Sequence, residues 1–224
     1  MSTPLLPSNT CFEDDVAGLG ISKETASILD DMCFLITAIL TYSETNSASA
    51  SATKLKTTSI WIQSRIASLP ASHRPDGNVD HIYESCRIAA LIYCRAIVDR
   101  VPLSEACTLQ DLGFLWQHVW NVDLSDWKKI PAIFLWIMLA ALPTAQHWPH
   151  GRFSKLMVKG AACHLALDNW DVVDGSLRTF TGLQRWIRKN RALPMLASTW
   201  CLCIAQHSFR NFEILRTMLF SLCR

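Results

Sequence analysis

The stretch DHIYESCRIAALIYCRAIVD, residues 80–99, contains the most regular helical pattern in the chain. Its apolar residues recur at steps of three and four and form one stripe, made of Ile82, Cys86, Ala89, Ala90, Tyr93, Cys94 and Ile97. Charged residues lie largely outside that stripe, and Pro102 follows as a residue that ends helices. The pattern predicts an amphipathic helix that buries one side in a protein core.

Similar spacing continues along the chain and predicts further helices at about 22–42, 54–69, 108–120, 125–142, 152–169, 173–190 and 194–222. Ser22 is placed to cap the first of these, and Thr108 with Asp111 has the spacing of a capping box. Pro131 suits a first helical turn or a kink. No stretch alternates in the way a half-buried strand does. The sequence therefore predicts an all-α protein, an irregular multi-helix bundle of about eight helices.

Two stretches differ in composition from these helices. Residues 1–20 contain two prolines and the acidic run Glu13-Asp14-Asp15 without a clear period, which predicts a flexible lead-in. Residues 43–53 consist mainly of Ser, Ala, Thr and Asn, which predicts a flexible linker. We expect one helical domain over 21–224 that contains this linker.

The bulk composition restricts the class of protein. Hydrophobic residues make up 50% of the chain and charged residues 18%, a composition typical of folded proteins. The net charge of +2 does not favour binding to a polyanion, and the odd number of scattered cysteines, nine, favours reduced buried thiols. The residues 1–10 do not resemble a secretory signal, so we expect an intracellular protein. The apolar run 130–142 is shorter than the roughly twenty residues that a membrane span needs, so we expect no membrane partner.

Three groups of Cys and His residues could carry chemistry. Cys201, Cys203 and His207 form the tightest candidate metal cluster, but the remaining ligands of a zinc site have no motif at the usual spacing. Cys163 and His164 could pair as nucleophile and base, yet adjacent residues point about 100° apart on a helix. His147 and His150 could ligate a metal with a third group. Packing or exposure explains each group better, so we assign no catalytic, cofactor-binding or metal-binding residue.

A basic cluster with one aromatic residue lies in the acid-free stretch 175–212. It consists of Arg178, Arg185, Trp186, Arg188, Lys189, Arg191 and Arg210. Such a cluster could bind phosphates and stack a base. However, cations at a helix C-terminus also offset the dipole of the helix without any ligand, and we favour that interpretation.

Other side chains at helical spacing predict the core. Trp116, Trp120, Trp127, Trp136, Trp170 and Trp200 recur in this way, and such tryptophans usually pack in a core. We also expect burial of Cys86, Ala90, Tyr93, Ile97, Trp136 and Leu139. In the helix at 152–169 one side carries Phe153, Leu156, Met157, Ala161, His164, Leu165 and Leu167. No G-x-G-x-x-G, G-x-x-x-x-G-K or G-x-S-x-G motif is present, so nucleotide-binding and hydrolase functions are not indicated.

Four segments resemble parts of a known family. The segment Tyr83-Glu84-Ser85-Cys86-Arg87-Ile88-Ala89-Ala90-Leu91-Ile92-Tyr93 resembles the signature helix of the fungal-specific transcription factor domain, in which a tyrosine or similar residue precedes E-x-C-R-x-A-A-L. Phe134-Leu135-Trp136-Ile137-Met138-Leu139 resembles an apolar helix late in that domain. Pro149-His150-Gly151-Arg152-Phe153 and Leu165-Ala166-Leu167-Asp168-Asn169-Trp170 resemble the part of the domain after this apolar helix in a fungal subgroup. Together these segments cover roughly residues 80–186.

The resemblance implies an all-α regulatory domain of a nuclear transcriptional regulator, often one that controls metabolism or a secondary-metabolite gene cluster. In that family the domain lies downstream of a six-cysteine zinc cluster built on C-x-x-C pairs, and these residues contain no C-x-x-C. We therefore expect a truncated regulator or an accessory protein without direct sequence-specific DNA binding. Localisation in the nucleus is expected, and the cytoplasm is an alternative. A protein partner or a small effector is expected, and a homodimer or heterodimer is compatible with this role.

Two other classes of function stay open. One is a metal- or cysteine-dependent enzyme that uses Cys201, Cys203, His207 or Cys163, although we expect no enzyme activity and no cofactor. The other is a helical scaffold with no transcriptional role.

Overall fold

The structure, a computed structural model, describes residues 2–7, 11–45, 49–71, 77–145 and 151–191. A 3-10 helix at Phe12–Asp15 is followed by α1 (Val16–Leu19), α2 (Lys23–Thr45), α3 (Ser49–Ser68), α4 (His81–Asp99), α5 (Leu103–Ala106), α6 (Leu109–Trp120), α7 (Leu124–Trp127), α8 (Pro131–Ala145), α9 (Gly151–Asp168) and α10 (Trp170–Lys189). No β-strand occurs among these residues, so the all-α prediction is confirmed. The seven longer helices correspond to seven predicted ones, and the predicted helix at 194–222 lies outside the described residues.

Several helix ends follow from local capping interactions that the sequence indicates. The Ser22 hydroxyl accepts a hydrogen bond from the Thr25 backbone N–H at 3.2 Å, and the Asp80 carboxylate accepts one from the Tyr83 N–H at 3.1 Å. Thr108 and Asp111 form the predicted capping box at the start of α6. These side chains satisfy N–H groups that have no partner inside their own helix.

Helices α4 and α8 form the centre of the bundle. α4 packs against α2, α3, α6 and α8, while α8 packs against α4, α5, α6 and α9. Every residue of α8 is buried except Pro143, which is half-buried. The Tyr93 and Trp136 rings stack with their centroids 5.5 Å apart. Burial is confirmed for the predicted core residues Cys86, Ala90, Tyr93, Ile97, Trp136 and Leu139.

Helix α8 differs from its predicted bounds. The sequence predicts one helix at 125–142, whereas the structure has the short α7 before it and continues α8 through Pro143 to Ala145. The Thr144 hydroxyl is a hydrogen-bond donor to the carbonyl oxygens of Ser104 and Cys107, each 3.4 Å away, in and just after α5. Thr144, in the last turn of α8, therefore contacts the region around α5. A proline inside a helix usually ends it, but α8 continues past Pro143 to Ala145.

Residues of the stretch 1–20, for which the sequence predicts a flexible lead-in, make tertiary contacts in the structure. Leu5 and Phe12 are buried, and the Asp30 carboxylate accepts hydrogen bonds from the backbone N–H groups of Phe12 and Glu13 at 2.9 and 3.2 Å. Leu6 lies over Gly175 of α10, where an added Cβ would be 2.7 Å from Leu6 Cδ2. These contacts join residues far apart in sequence, so a local pattern does not reveal them.

The stretch 43–53, for which the sequence predicts a flexible linker, includes the end of one helix and the start of the next. Helix α2 extends to Thr45 and α3 begins at Ser49, so most of this stretch is helical. Residues 46–48 lie outside the described part of the chain. Alanine has the highest helix propensity, and its presence among the Ser and Thr residues makes a helix at this position compatible with the composition.

Helix α2 is the one candidate membrane span within the described residues. Its segment Lys23–Tyr42 is long and apolar enough by length and composition alone. In the bundle, however, α2 packs against α3, α4 and α10, and it buries Ile28, Leu29, Met32, Leu35, Ile36 and Ile39. The core helix of a bundle has the same composition, and this burial accounts for most of the large apolar residues of α2, although Phe34 is 60% exposed.

Candidate interaction surface

The Cys and His residues singled out in the sequence are not brought together in the described structure. Cys163 is half-buried on α9 and its neighbour His164 is exposed. The described residues contain no group of three or more His, Cys, Asp or Glu side chains that could hold a metal ion. Cys201, Cys203, His207, His147 and His150 lie outside the described residues.

The buried cysteines are packing groups. Burial raises the pKa of the Cys94 thiol to about 12 and that of Cys107 to about 11, and it raises the pKa of Cys86 still further. The Cys94 sulfur lies 3.7 Å from the Met32 sulfur inside the core. A thiol in such a site stays protonated near neutral pH, so it is a poor nucleophile and a poor metal ligand.

Two arginines of the basic cluster pair with acidic residues in the described part of the chain. Arg178 forms an ion pair with Asp174 at 2.5 Å, and Arg191 forms one with Glu105 at 3.0 Å. Trp186, the aromatic residue of the cluster, is buried. Because its ring is covered by protein, it cannot stack on a base as the nucleic-acid hypothesis requires. Arg210 lies outside the described residues.

A small cavity lies between α2, α3, α4 and α10. Its volume is about 40 Å³, and it is lined by Tyr42, Leu55, Lys56, Ser59, Ile97, Val98, Arg100, Trp186 and Asn190. Pockets for small organic ligands usually measure about 300–1,000 Å³. This cavity has room for water molecules but not for a metabolite, so it does not provide an effector site.

An exposed aromatic cluster joins α6 to α9. The ring of Trp120 stacks on that of Phe153 with centroids 5.0 Å apart, and Trp116 lies 6.1 Å from Trp120 and 6.2 Å from Phe153. Trp120 keeps 62% of its surface exposed. The prediction that the tryptophans pack in the core is therefore wrong for Trp120. It is confirmed for Trp127 and Trp136, which are buried. Trp116 and Trp170 are half-buried, and Trp200 lies outside the described residues.

Helix α6 carries two apolar sides. Leu112, Leu115 and Val119 are buried and face the bundle. Leu109, Gly113, Trp116 and Trp120 follow one another at steps of four, three and four, so they share a different, outward side. Leu109 is 60% exposed and no atom lies within 4 Å of a Cβ built on Gly113. The helix is thus apolar over more of its circumference than its contacts in the bundle require.

Helix α9 also has two apolar sides. It buries Ser154, Val158, Ala162, Leu165 and Ala166 against its neighbours, chiefly α8 and α10. Apart from Leu165, the stripe noted in the sequence lies on other sides of the helix, and Leu156 and Leu167 are 63% and 83% exposed. We define the outer apolar face by eight residues of the two helices, which are exposed except for the half-buried Trp116 and Phe153: Leu109, Gly113, Trp116, Trp120, Phe153, Leu156, Gly160 and Leu167.

Three cations lie on α9. By helical spacing Arg152 and Lys159 flank Leu156 of the outer apolar face, whereas Lys155 is about 100° from Leu156. Arg152 and Lys159 are exposed and Lys155 is half-buried. No acidic residue occurs from 151 to 167. None of the three cations has an ion-pair partner in the part of the chain that the structure describes. The face therefore combines apolar groups with uncompensated positive charge along α9.

Helix α6 is fixed against α4 by polar contacts on its inner side. Arg95 of α4 forms an ion pair with Asp111 at 2.8 Å. Burial disfavours the charged form of Asp111, but hydrogen bonds from Arg95 and Thr108 outweigh it and lower the pKa of this carboxyl group. His81 Nδ1 and His118 Nδ1 lie 2.9 Å apart, so one imidazole donates to the other. The outer apolar face is therefore built on a well-anchored helix.

The histidine pair predicts a pH effect on stability. Burial lowers the pKa of His118, and His81 and Arg87 lower it further, whereas Glu84 acts in the opposite direction. Unfolded His118 has a pKa of about 6.5, so below that pH the unfolded chain binds a proton that the folded chain resists. The contribution of His118 is therefore constant above about pH 6.5 and becomes destabilising as the pH falls from there through the lower folded pKa.

This effect can be measured by urea unfolding at pH 7 and pH 5 for the wild type and for His118→Asn. The variant should lose less stability between the two pH values than the wild type. The exposed His164→Asn variant should behave like the wild type. Equal losses for the wild type and His118→Asn would contradict the assignment.

No family model, curated protein or solved structure matches the chain. The family resemblance therefore rests on the residues named above. In the structure, residues of the segment that resembles the signature helix lie on α4 and make contacts within the bundle. Tyr83 donates a hydrogen bond to the Pro70 carbonyl oxygen at 2.8 Å, Arg87 pairs with Glu84, and Cys86, Ala89 and Ala90 are buried. The segment thus holds α4 in the centre of the bundle.

Proposed function

We propose that this chain is a helical regulatory domain that controls fungal gene expression through contact with another protein. The observation that carries the proposal is the outer apolar face. Monomeric proteins rarely leave contiguous apolar and aromatic groups uncovered, and such patches commonly mark interaction sites. Tryptophan and phenylalanine are among the residues enriched at protein interfaces. The domain would act without a DNA-binding module of its own.

The resemblance of α4 to the fungal transcription factor domain supports the transcriptional part of the proposal. It points to action in the nucleus, with control of a secondary-metabolite gene cluster as one form of that role. A protein partner is favoured over a small effector because the described cavity is too small for a metabolite, whereas the outer apolar face is exposed. We assign the chain no catalytic residue.

The alternative functions have less support in the described residues. The buried thiols are protonated, and Cys163 forms no metal cluster there with His, Asp or Glu. Cys201, Cys203 and His207 lie outside the described residues, so elemental analysis of the purified chain tests them. Stoichiometric zinc that survives dialysis would favour the enzyme hypothesis.

A tethering assay tests the transcriptional role. The whole chain is fused to a heterologous DNA-binding domain, and transcription of a reporter gene is measured in a fungal host against the DNA-binding domain alone. Activation or repression of the reporter is expected. An unchanged reporter, with the fusion protein present at a normal level, would reject the transcriptional role and favour a scaffold.

A further inference from the structure

We infer that the outer apolar face binds an acidic amphipathic α-helix of a partner protein. This inference rests on the proposed function, since it specifies the chemistry of the protein contact proposed above. For this binding, the outer apolar face must leave room for a helix, and the charge beside it must favour a helix with acidic residues.

The shape of the face suits a helix. On α6 the side chains of Leu109, Trp116 and Trp120 project on both sides of Gly113, where an added Cβ would meet open space. On α9 Gly160 is equally open, four residues from the exposed Leu156. The surface at both glycines is open, so an incoming helix can approach the backbone of α6 and α9 between the larger side chains. Such a helix can place leucines or aromatic rings at i, i+3, i+4 and i+7 against this surface.

The charge along α9 selects the partner. Arg152, Lys155 and Lys159 have no acidic partner among the described residues, and no acidic residue occurs from 151 to 167. Glutamates and aspartates beside the apolar stripe of an incoming helix would pair with Arg152 and Lys159, the two exposed cations that flank Leu156. Complementary charge of this kind gives specificity and speeds association.

Two other occupants are less compatible with the described residues. A second copy of the chain would bring the same three cations to the contact, and α9 would supply only Asp168 as a counter-charge. A helix that lies in a lipid surface usually exposes a polar face opposite its apolar one. In α9 the side roughly opposite the exposed leucines is instead buried against protein.

The binding test uses three fluorescently labelled synthetic peptides and the full chain. The first peptide carries leucines at i, i+3, i+4 and i+7 with glutamates elsewhere, the second has lysines in place of the glutamates, and the third has the acidic sequence scrambled. We expect the first peptide to bind at least about tenfold more tightly than either of the others, as expected for a small number of apolar anchors aided by charge. Its affinity should fall between about 0.05 and 0.3 M salt.

Three variants of the chain test whether the acidic peptide binds at the outer apolar face. The double variant Trp120→Ser/Leu156→Ser removes two exposed apolar groups and should weaken the acidic peptide at least about tenfold. Trp61→Ser is the matched control, because Trp61 lies on α3 and is 59% exposed. It should bind like the wild type. Arg152→Gln/Lys159→Gln should weaken binding and reduce its salt dependence, with an unchanged circular dichroism spectrum.

The inference is overturned if the lysine peptide or the scrambled peptide binds as well as the acidic one. It is also overturned if the wild-type chain binds anionic phospholipid vesicles but none of the peptides. The same holds if the wild-type chain binds no peptide but self-associates, and the double variant abolishes that self-association. Loss of reporter activity in the double variant without peptide binding would reject the acidic partner while retaining the proposed function. Peptide binding with a silent reporter would support the acidic partner and reject only the transcriptional role.

Discussion

Replacing Trp136 by alanine should lower the free energy of unfolding by about 3–5 kcal/mol, the usual cost of deleting a large buried aromatic side chain. Trp136 has no exposed surface, and its ring stacks on Tyr93 with 8° between the planes. The Tyr93 hydroxyl also donates a hydrogen bond to the Trp136 carbonyl oxygen at 3.2 Å. The cavity would therefore open where α4 meets α8. Urea unfolding followed by circular dichroism measures the loss.

Two further variants show whether burial causes this effect. Trp120→Ala should cost less than about 1 kcal/mol, because most of that side chain is already in water. Trp136→Phe should cost clearly less than Trp136→Ala, since the indole N–H of Trp136 has no hydrogen-bond partner among the described residues and phenylalanine removes it. Similar losses for Trp120→Ala and Trp136→Ala would contradict the described packing.

The second large effect is expected at Arg87, where replacement by methionine should destabilise the fold by about 2–3 kcal/mol near neutral pH. Arg87 Nε and Nη2 each lie 3.0 Å from Glu84 Oε2. Glu84 is buried, and its other oxygen, Oε1, has no hydrogen-bond partner in the described part of the chain. Without Arg87 a buried carboxylate would lose its counter-charge. The loss is measured by the same urea titration.

Control variants separate the ion pair from a general loss of charge. Glu84→Gln/Arg87→Met should recover much of the stability lost in Arg87→Met, because a neutral amide needs no counter-charge. Arg152→Met removes an exposed cation and should change stability by about 0.5 kcal/mol or less. The role given to Arg87 would be wrong if its replacement cost no more than that of Arg152, or if the double variant recovered nothing.

The start and end signals of the helices are local, and this explains why the sequence predicts them well. Asp80 and Thr108 cap the N-terminal turns of α4 and α6, each through a contact within three residues. Arg100 ends α4 with a positive φ of 55°, and Pro102 follows two residues later. Such signals act through neighbouring residues alone, so no tertiary structure is needed to recognise them.

Tertiary contacts account for the features that local patterns do not reveal. Phe12 is buried because the lead-in contacts Asp30, eighteen residues further along the chain. Trp120 was expected in the core because helical spacing shows that residues share a side, but it does not show which side faces the bundle. When a helix is apolar on two sides, as α6 and α9 are, neighbouring helices decide which side is covered. The outer apolar face therefore emerges only in the folded structure.

The residues of the family resemblance and those of the outer apolar face should respond differently to substitution, because they differ in burial. Glu84, Cys86 and Arg87 lie inside the bundle, so variants there should act through stability. Trp120 and Leu156 lie outside it, so variants there should act through recognition. A reporter assay combined with a stability measurement distinguishes the two kinds of effect.

The most direct test compares the tethered wild-type chain, Trp120→Glu/Leu156→Glu and Trp61→Glu in the reporter assay, after urea unfolding has established that their stabilities agree within about 1 kcal/mol. A charge on the outer apolar face should abolish the effect on transcription, while the same change on α3 should preserve it. Full reporter activity in Trp120→Glu/Leu156→Glu would show that this face is not where the protein acts.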